Sequence, residues 1–314
     1  MSNPVIEKAD CIDVDKSAKQ DDWSYAGAFV RHRGLISVQE QEVLRNSRVS
    51  IVGMGGVGGV DLITLARLGV GHFTIADPDR FDVSNTNRQY GAMKTTIGQS
   101  KVEVMSDIVR QINPEADIRI FRDPIGPDNA KDFLEGADVF VDGIDAFEID
   151  VRRLLYGMAA ERGIYALGAG PVGFSTVWIV FDPKGMSFDR YFNLSDSMDG
   201  IQKFASYIVG MAPKATHRKY IDMSEIDFNS RAGPSVGLAC QLASGVVAAE
   251  VTKILLGRGL IYSAPYYHQF DAYLGKFYRK RLIGGNRHPI QKLKCWGLSR
   301  FLRNHLGNAS SPSS

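Results

Sequence analysis

The chain has 314 residues, of which 44% are hydrophobic and 23% are charged, an ordinary balance for a soluble globular protein. Its formal net charge of +2 argues neither for nor against nucleic-acid binding. Its three scattered cysteines form no CxxC pair, so neither a disulfide framework nor a tetrathiolate zinc site is encoded. No apolar run approaches the roughly 20 residues of a membrane span, and the polar N-terminus has no signal-peptide core, so we expect a cytoplasmic protein.

The first half of the chain predicts a mostly parallel sheet with helices on both faces. After a polar tail (residues 1–22), Ser37 and Glu40 form a capping box at the start of a helix. A strand begins at Val49, a glycine cluster and an apolar helix follow, and a second strand ends at Asp77. Helix and strand patterns then alternate to about residue 170, which is typical of a Rossmann-like α/β fold.

The second half has a different pattern. The run GFSTVWIVFDP alternates like a half-buried antiparallel strand, and residues 184–230 have no clear period, as in a long crossover or a segment that covers a substrate. A helix of small residues then ends near Gly257, and two closing strands follow. We therefore predict one domain (23–283), with a nucleotide-binding half (48–170) and a substrate-facing half of antiparallel strands (171–283), before a basic tail (284–314).

The glycine cluster predicts a phosphate site at the first strand–helix turn. Gly53, Gly55 and Gly58 match the pattern G-x-G-x-x-G, in which glycines let a phosphate approach the backbone at a helix N-terminus. Asp77 follows about 20 residues later, where a ribose hydroxyl is bound. Because the same pattern fits a nicotinamide cofactor, an NAD(P)-dependent oxidoreductase stays open.

Positive charge beside this turn favours a nucleoside triphosphate over a dinucleotide. The loop SNTNRQ and the lysine of IGQSK place Asn85, Arg88, Gln89 and Lys101 near the carboxyl edge of the sheet. Arginine and lysine there would spread the charge of a leaving pyrophosphate, a demand that a dehydrogenase does not have.

Two aspartates follow a buried-looking strand later in the same half. Asp142 and Asp145 end the run VFVDGID, where carboxylates could hold Mg²⁺ against the phosphates. For Asp142 a second interpretation stays open, as a cap of the following helix. Asp145 is the preferred magnesium ligand.

Together these motifs resemble one family. GMGGVG, ADPDRFDVSNTNRQ, IGQSKVEV, INPE, VDGID, GPSVGLACQLASGVVAAEVTKILLG and FDAYLGKF, in that order, resemble the E1-like adenylating enzymes, the ThiF, MoeB and HesA superfamily. The resemblance covers residues 29–283. NTNRQ and RQINPE look most like the branch that contains tRNA threonylcarbamoyladenosine dehydratase.

The resemblance implies ATP and Mg²⁺ as ligands and assigns roles to the site residues. Asp77 would bind the ribose, Lys101 would neutralise the triphosphate and Asp145 would hold Mg²⁺. Family members are usually homodimers in which an arginine of one subunit reaches the ATP of the other, and Arg31, with Arg33 second, is the candidate here. The implied ATP-binding set is Gly53, Gly55, Gly56, Gly58, Asp77, Asp79, Asn85, Arg88, Gln89 and Lys101, and the implied catalytic set is Arg88, Lys101, Asp145 and Arg31.

The chain also departs from the family pattern. The two zinc-binding CxxC pairs of its sulfur-carrier and ubiquitin-like activators are absent, and residues 184–230 contain no cysteine to carry a thioester. Cys240 lies in the small-residue helix, as expected for a buried structural thiol, and Cys295 falls outside the matched region. Ala146 replaces the asparagine that usually follows the metal aspartate. The expected chemistry therefore ends at adenylylation.

The sequence thus predicts an ATP- and Mg²⁺-dependent adenylyltransferase that activates a carboxylate as an acyl-adenylate without a catalytic cysteine. The alternatives are an ATP-dependent dehydratase of a tRNA nucleoside, an NAD(P)-dependent oxidoreductase and an inactive scaffold. A peptide, a small molecule, a ubiquitin-like protein and tRNA all stay open as the acceptor. The segment from Lys276 onward has nine Lys and Arg residues and no acidic ones. This segment could bind RNA, contact an acidic partner or simply be solvated, with RNA not favoured.

Overall fold

The structure, a computed structural model, describes residues 23–222, 225 and 233–306, so the predicted tail at 1–22 lies outside it. One sheet of eight strands organises the described chain. Its strands are β1 (Arg48–Val52), β2 (His72–Ala76), β3 (Asp117–Phe121), β4 (Val139–Asp142), β5 (Tyr165–Val172), β6 (Ser175–Phe181), β7 (Tyr266–Asp271) and β8 (Lys276–Arg281). The helices are α1 (Tyr25–Ala28), α2 (Val38–Asn46), α3 (Gly58–Arg67), α4 (Lys101–Ile112), α5 (Ala130–Phe133), α6 (Ile149–Glu161), α7 (Phe188–Phe192), α8 (Gly200–Met211), α9 (Gly237–Leu256) and α10 (Pro289–Leu306).

The strand order β3-β2-β1-β4-β5-β6-β7-β8 confirms the predicted fold class. Strands β1 to β5 pair in parallel, and β5 to β8 pair antiparallel. The order in which strands are added reverses between β1 and β4, because β2 and β3 lie on one side of β1 and β4 lies on the other. In open α/β sheets, ligands bind at the carboxyl edge near such a point.

Strand β6 is buried along its whole length, so the half-buried interpretation of this run was wrong. One face of β6, with Trp178 and Val180, packs in the core beside α9. The other face, with Val177 and Ile179, packs beside α7 and α8. Because helices cover both faces, the alternation in the sequence does not separate a core side from a solvent side.

Helix α9 is the main core helix of the second half. Its residues Ala243, Val247 and Val251 are buried in the core against α3, β5 and β6. By length and composition alone this 20-residue helix passes as a membrane span, contrary to the expectation from the sequence. A buried core helix passes the same test, and the packing of α9 is that of a core helix. It ends at Gly257 in the left-handed conformation, as predicted.

The two ends of the described chain differ from each other in how well they were predicted. The capping box of Ser37 and Glu40 starts α2 as expected. The predicted basic tail instead forms the 18-residue helix α10 up to residue 306. Helix α10 packs against α8 through buried side chains such as Gln291 and Leu302. This packing holds a segment that was expected to contain only one amphipathic turn.

Candidate functional site

The glycines after β1 fall into two groups, according to what a Cβ atom at each position would contact. Gly53 has a positive φ of 86°, and a Cβ atom there would lie 2.2 Å from the backbone oxygen of Gly143. A Cβ atom on Gly58 would lie 1.9 Å from the backbone oxygen of Gly53. These contacts let the loops after β1 and β4 and the start of α3 interlock. Gly53 and Gly58 are therefore required by the backbone itself.

Gly55 and Gly56 face side chains instead of backbone. A Cβ atom on Gly55 would lie 3.6 Å from Nε2 of Gln89, an ordinary contact. One on Gly56 would lie 3.3 Å from Cγ of Arg88 and 3.0 Å from Sγ of Cys240. Oε1 of Gln89 is buried and has no hydrogen-bond partner within the described residues. Bare glycine backbone beside a guanidinium fits an anionic group, and the unpaired amide oxygen of Gln89 fits a hydrogen-bond donor of the same polar ligand.

Asp77 connects the glycine loop to the loop after β2. Its Oδ2 accepts a hydrogen bond from the backbone N of Met54 at 2.6 Å, and its Oδ1 accepts one from the backbone N of Asp79 at 2.8 Å. Asp79 in turn pairs with the largely buried Lys101, with Nζ and Oδ2 2.9 Å apart. The three predicted residues Asp77, Asp79 and Lys101 thus form one chain of contacts at this edge of the sheet.

Three helices begin at this edge, and none has a side-chain cap. The backbone N–H groups in the first turns of α3, α4 and α9 donate to no N-cap side chain, whereas those of α2, α7 and α8 do. Helix α9 reaches the site because Nδ2 of Asn87 donates to the backbone oxygen of Ser235 at 2.8 Å. Uncapped N–H groups and the positive ends of the helix dipoles favour an anion here. Arg88 and Lys101 add full charges.

Asn85 and Arg88 make local contacts in the turn that carries them. Oδ1 of Asn85 accepts from the backbone N of Asp82 at 3.0 Å, which caps the short 3₁₀ turn Val83–Asn85. Nη1 of Arg88 donates to the backbone oxygen of Ser84 at 2.9 Å. The remaining guanidinium donors of Arg88 could bind phosphate oxygens.

Asp142 is part of a buried ion pair and is not the cap of the following helix. Its Oδ2 accepts from Nε of Arg152 at 2.8 Å and from the hydroxyl of Tyr156 at 3.2 Å. Both charged side chains are at most 3% exposed. Arg152 also donates to the backbone oxygens of Ile144 and Asp145. The arginine therefore holds the whole loop from Asp142 to Asp145.

Asp145 lies in this loop, beside the glycine turn. Its Oδ1 accepts from the backbone N of Phe147 at 3.0 Å, and the residue is exposed. Within the described ranges no three His, Cys, Asp or Glu side chains gather into a metal site. Magnesium at nucleotide sites usually takes only one or two carboxylates and completes its shell with phosphates and water. One exposed aspartate next to a phosphate cradle therefore fits a magnesium ion carried by a nucleotide.

Arg31 lies far from the other predicted site residues of the same chain. It belongs to the 3₁₀ turn Val30–His32, which follows α1. Tyr25 of α1 donates its hydroxyl hydrogen to the backbone oxygen of Gly69, just beyond the end of α3. The ten residues of α3 separate this point from the glycine loop by about 15 Å. Arg31 and Arg33 are both exposed, and neither has an ion-pair partner among the described residues.

Three features of the site were missed or misjudged from the sequence. Arg152 carried no motif, although an arginine on the helix after a strand-ending aspartate was a usable signal. Cys240 was expected in a buried helix, but its contact with Gly56 had no signal because the two residues are far apart in the chain. Asp61, in the first turn of α3, is fully buried, and the oxygens of its carboxyl group have no hydrogen-bond partner among the described residues.

The two cysteines in the described part of the chain are poor nucleophiles. Burial raises the pKa of the Cys240 thiol, and burial also raises the pKa of the Cys295 thiol between α8 and α10. A raised pKa disfavours the thiolate that a covalent relay requires. Cys11 lies outside the described residues.

The fold and the site define a class of protein: a Rossmann-like nucleotide-binding domain that continues into an antiparallel half. The model of the ThiF family matches residues 29–293. The chain therefore belongs to the ThiF family, within the E1-like superfamily.

Curated relatives carry two kinds of name. The chain is 39% identical over 126 residues to the tRNA threonylcarbamoyladenosine dehydratase of Haemophilus influenzae, covering 40% of this chain and 48% of that protein. It is 32% identical over 276 residues to the probable adenylyltransferase/sulfurtransferase MoeZ of Mycobacterium tuberculosis, covering 83% of this chain and 61% of that protein. The chain thus spans less than two thirds of the length of either relative.

Solved structures support the fold. PaaA superimposes with a TM-score of 0.63 at 17% identity, covering 85% of this chain and 77% of that one. MccB of Escherichia coli, solved with ATP, superimposes with a TM-score of 0.58 at 20% identity, covering 79% of this chain and 66% of that one. At such identities the likeness concerns the fold alone.

Proposed function

We propose that this protein is an ATP- and Mg²⁺-dependent adenylyltransferase that activates a carboxylate as an acyl-adenylate without a cysteine relay. The observation that carries the proposal is the convergence at one sheet edge of bare glycine backbone, three uncapped helix N-termini and the side chains of Arg88, Gln89 and Lys101. A ribose and a pyrophosphate alone do not require this much positive charge. A triphosphate attacked at its α-phosphate does.

In the proposed reaction, a carboxylate oxygen attacks the α-phosphate, a P–O bond forms, and pyrophosphate leaves. Lys101 moves from Asp79 towards the phosphates, and Arg88 binds them through its free donors. Asp145 would hold Mg²⁺, which supplies charge neutralisation at the phosphate oxygens. No side-chain base is needed, because the attacking carboxylate is already ionised and alignment with charge stabilisation lowers the barrier.

Thermal unfolding with and without ATP plus Mg²⁺ tests the nucleotide. Ligand at about 100 times its Kd adds roughly 2.7 kcal/mol of stability, a shift of several degrees for a chain of this size. Lys101→Ala should lose most of that shift, whereas Lys94→Ala, an exposed lysine in the same loop, should keep it. Stabilisation by NAD⁺ or NADP⁺ that is indifferent to Lys101→Ala would refute the proposal. Pyrophosphate exchange with a panel of carboxylates then identifies the acceptor class.

A second candidate is ATP-dependent dehydration of a tRNA nucleoside. It is supported by the likeness to the Haemophilus influenzae dehydratase over 126 residues. It predicts that RNA binds in a gel-shift assay with a steep dependence on salt and that ATP consumption requires tRNA. Carboxylate-dependent pyrophosphate exchange without RNA would favour the first candidate instead.

A further inference from the structure

The segment from β8 through the following turn to α10 has a strong charge bias. It carries nine exposed cationic side chains and no acidic ones, whereas the residues before Lys276 have 35 acidic and 28 cationic side chains. Among the described residues only Arg303 of these nine forms an ion pair, with Asp199. The cations of β8 point alternately to the two faces of the sheet, and Arg279 lies over Tyr262 on the face opposite α10. The C-terminal basic surface is therefore defined by the cations of the turn and of α10, which are Arg287, Lys292, Lys294, Arg300 and Arg303.

Large apolar side chains lie exposed on the same surface. Ile290, Leu293 and Trp296 are 59%, 67% and 59% exposed, and Ile283 in the preceding turn is 71% exposed. The three side chains on α10 follow one another at three-residue steps, so they form a stripe along the outer side of the helix. The opposite side of α10 packs against α8. The guanidinium of Arg300 lies over the Trp296 ring, 5.5 Å from its centre, and the side chains of the outer stripe are otherwise largely exposed.

We propose that the C-terminal basic surface docks on an anionic lipid membrane, with the outer stripe of α10 in the interface. Lipid phosphates attract the cations, and the boundary with the acyl chains accepts aliphatic side chains and an indole ring. Of the possible partners, a lipid membrane matches both the cations and the apolar stripe. RNA phosphates would use the cations but leave Ile290 and Leu293 in water, and a second copy of the chain would bring the five like charges of each copy face to face. The surface is independent of the proposed reaction.

Flotation of the full chain with lipid vesicles tests the proposal. We expect binding to phosphatidylcholine vesicles that contain phosphatidylglycerol, little binding to pure phosphatidylcholine, and release at high salt. Leu293→Gln should reduce the partition coefficient by roughly tenfold, because the variant loses the free energy of transferring one leucine side chain from water into the membrane interface. Leu260→Gln, which changes a leucine 73% exposed elsewhere, should not.

Two charge-reversal variants test the contribution of the cations. Lys292→Glu should weaken binding by about tenfold or more, because two units of charge change near the lipid surface. Lys184→Glu, which makes the same change at another exposed position, should have little effect. Circular-dichroism melting curves check that each variant folds. A blue shift of the Trp296 emission on vesicles, lost in Trp296→Phe, would support insertion of the stripe.

Several outcomes would overturn the proposal. These are equal binding to neutral and anionic vesicles, no binding to either, or binding indifferent to Leu293→Gln. Binding that resists both salt and alkaline carbonate would point to a spanning helix instead. Tight RNA binding that Lys292→Glu abolishes, without vesicle binding, would make the surface a nucleic-acid site.

Discussion

The glycine loop offers a clean test of which glycines serve the fold and which serve the ligand. Gly53→Ala should destabilise the protein by at least about 1 to 3 kcal/mol, because it combines a positive φ with an overlap on Gly143. Gly55→Ala should leave stability within about 0.5 kcal/mol but weaken ATP binding by about tenfold or more, since its Cβ stands where a phosphate would approach the backbone. Chemical denaturation and ATP titration separate the two effects. Loss of stability in Gly55→Ala would contradict this division.

Asp61 should make stability depend on pH. Burial, with repulsion from Asp142 in addition, raises the pKa of the Asp61 carboxyl from 3.8 to about 8. In the folded protein the carboxyl keeps its proton, whereas the unfolded chain releases it above about pH 4. Unfolding therefore releases a proton between these two values, and the contribution of Asp61 to stability falls as pH rises through this window, by up to about 1.4 kcal/mol per pH unit.

Asp61→Asn isolates this effect, because other carboxyl groups titrate in both proteins. The difference in Tm, variant minus wild type, should rise from pH 5 to pH 8 and then level off. Asp107→Asn, which changes an exposed aspartate, is the control and should show no such trend. A constant difference between pH 5 and pH 9 would mean that Asp61 is ionised in the folded protein.

The loop that carries Asp145 is held by helices α6 and α8. Arg152 of α6 donates to two of the loop's backbone oxygens, and its guanidinium lies 4.5 Å from the ring centre of Tyr207 in α8. Phe147 stacks on Phe204 of α8 with ring centres 4.4 Å apart. The position of the predicted magnesium ligand therefore depends on the packing of a helix in the crossover region.

Removing Arg152 from this loop should lower the free energy of unfolding substantially. Arg152→Met leaves the buried carboxylate of Asp142 without its ion-pair partner and should destabilise the protein by about 3 to 5 kcal/mol. Arg153→Met, at the next position, removes ion pairs with the more exposed Asp189 and Asp196 and should cost about 1 kcal/mol or less. Urea denaturation compares the two variants. Equal costs would show that the Asp142–Arg152 pair does not anchor the loop.

The elements that the sequence predicted well are those fixed by local signals. The capping box at Ser37, the stop at Gly257 and the first β-α-β unit depend on residues close together in the chain. The errors concern elements whose environment is set from a distance. Strand β6 is buried on both faces because α9 covers one of them, and α10 is a full helix because α8 supplies a partner. Neither partner can be assigned from periodicity alone.

The same distinction applies to the site. The glycines, Asp77 and the loop from Asn85 to Lys101 lie within one stretch, and the structure brings them to one edge of the sheet. The contact of Cys240 with Gly56 and the uncapped start of α9 join the site from the other half of the chain. These contributions depend on the tertiary fold, so motif spacing could not predict them.

At the scale of the whole molecule, the position of Arg31 determines how this residue could take part in catalysis. In one chain it lies beyond the far end of α3, so a contact with the proposed ATP site would have to come from a second subunit. If the protein is a homodimer of this kind, Arg31→Ala and Lys101→Ala should each abolish pyrophosphate exchange. Mixing them should restore about one quarter of wild-type activity, because half of the random dimers are mixed and each has one intact site.

The double variant Arg31→Ala/Lys101→Ala is the control for this recovery, since mixing it with Lys101→Ala provides no intact site. No recovery in the first mixture, after subunit exchange is verified by mass, would show that Arg31 does not act across an interface. Substituting Arg33→Ala for Arg31→Ala then distinguishes the two arginines. If an arginine reaches the nucleotide of the neighbouring subunit, its alanine variant should be inactive alone and should recover activity when mixed with Lys101→Ala. The recovery is expected because the Lys101→Ala subunit supplies the missing arginine.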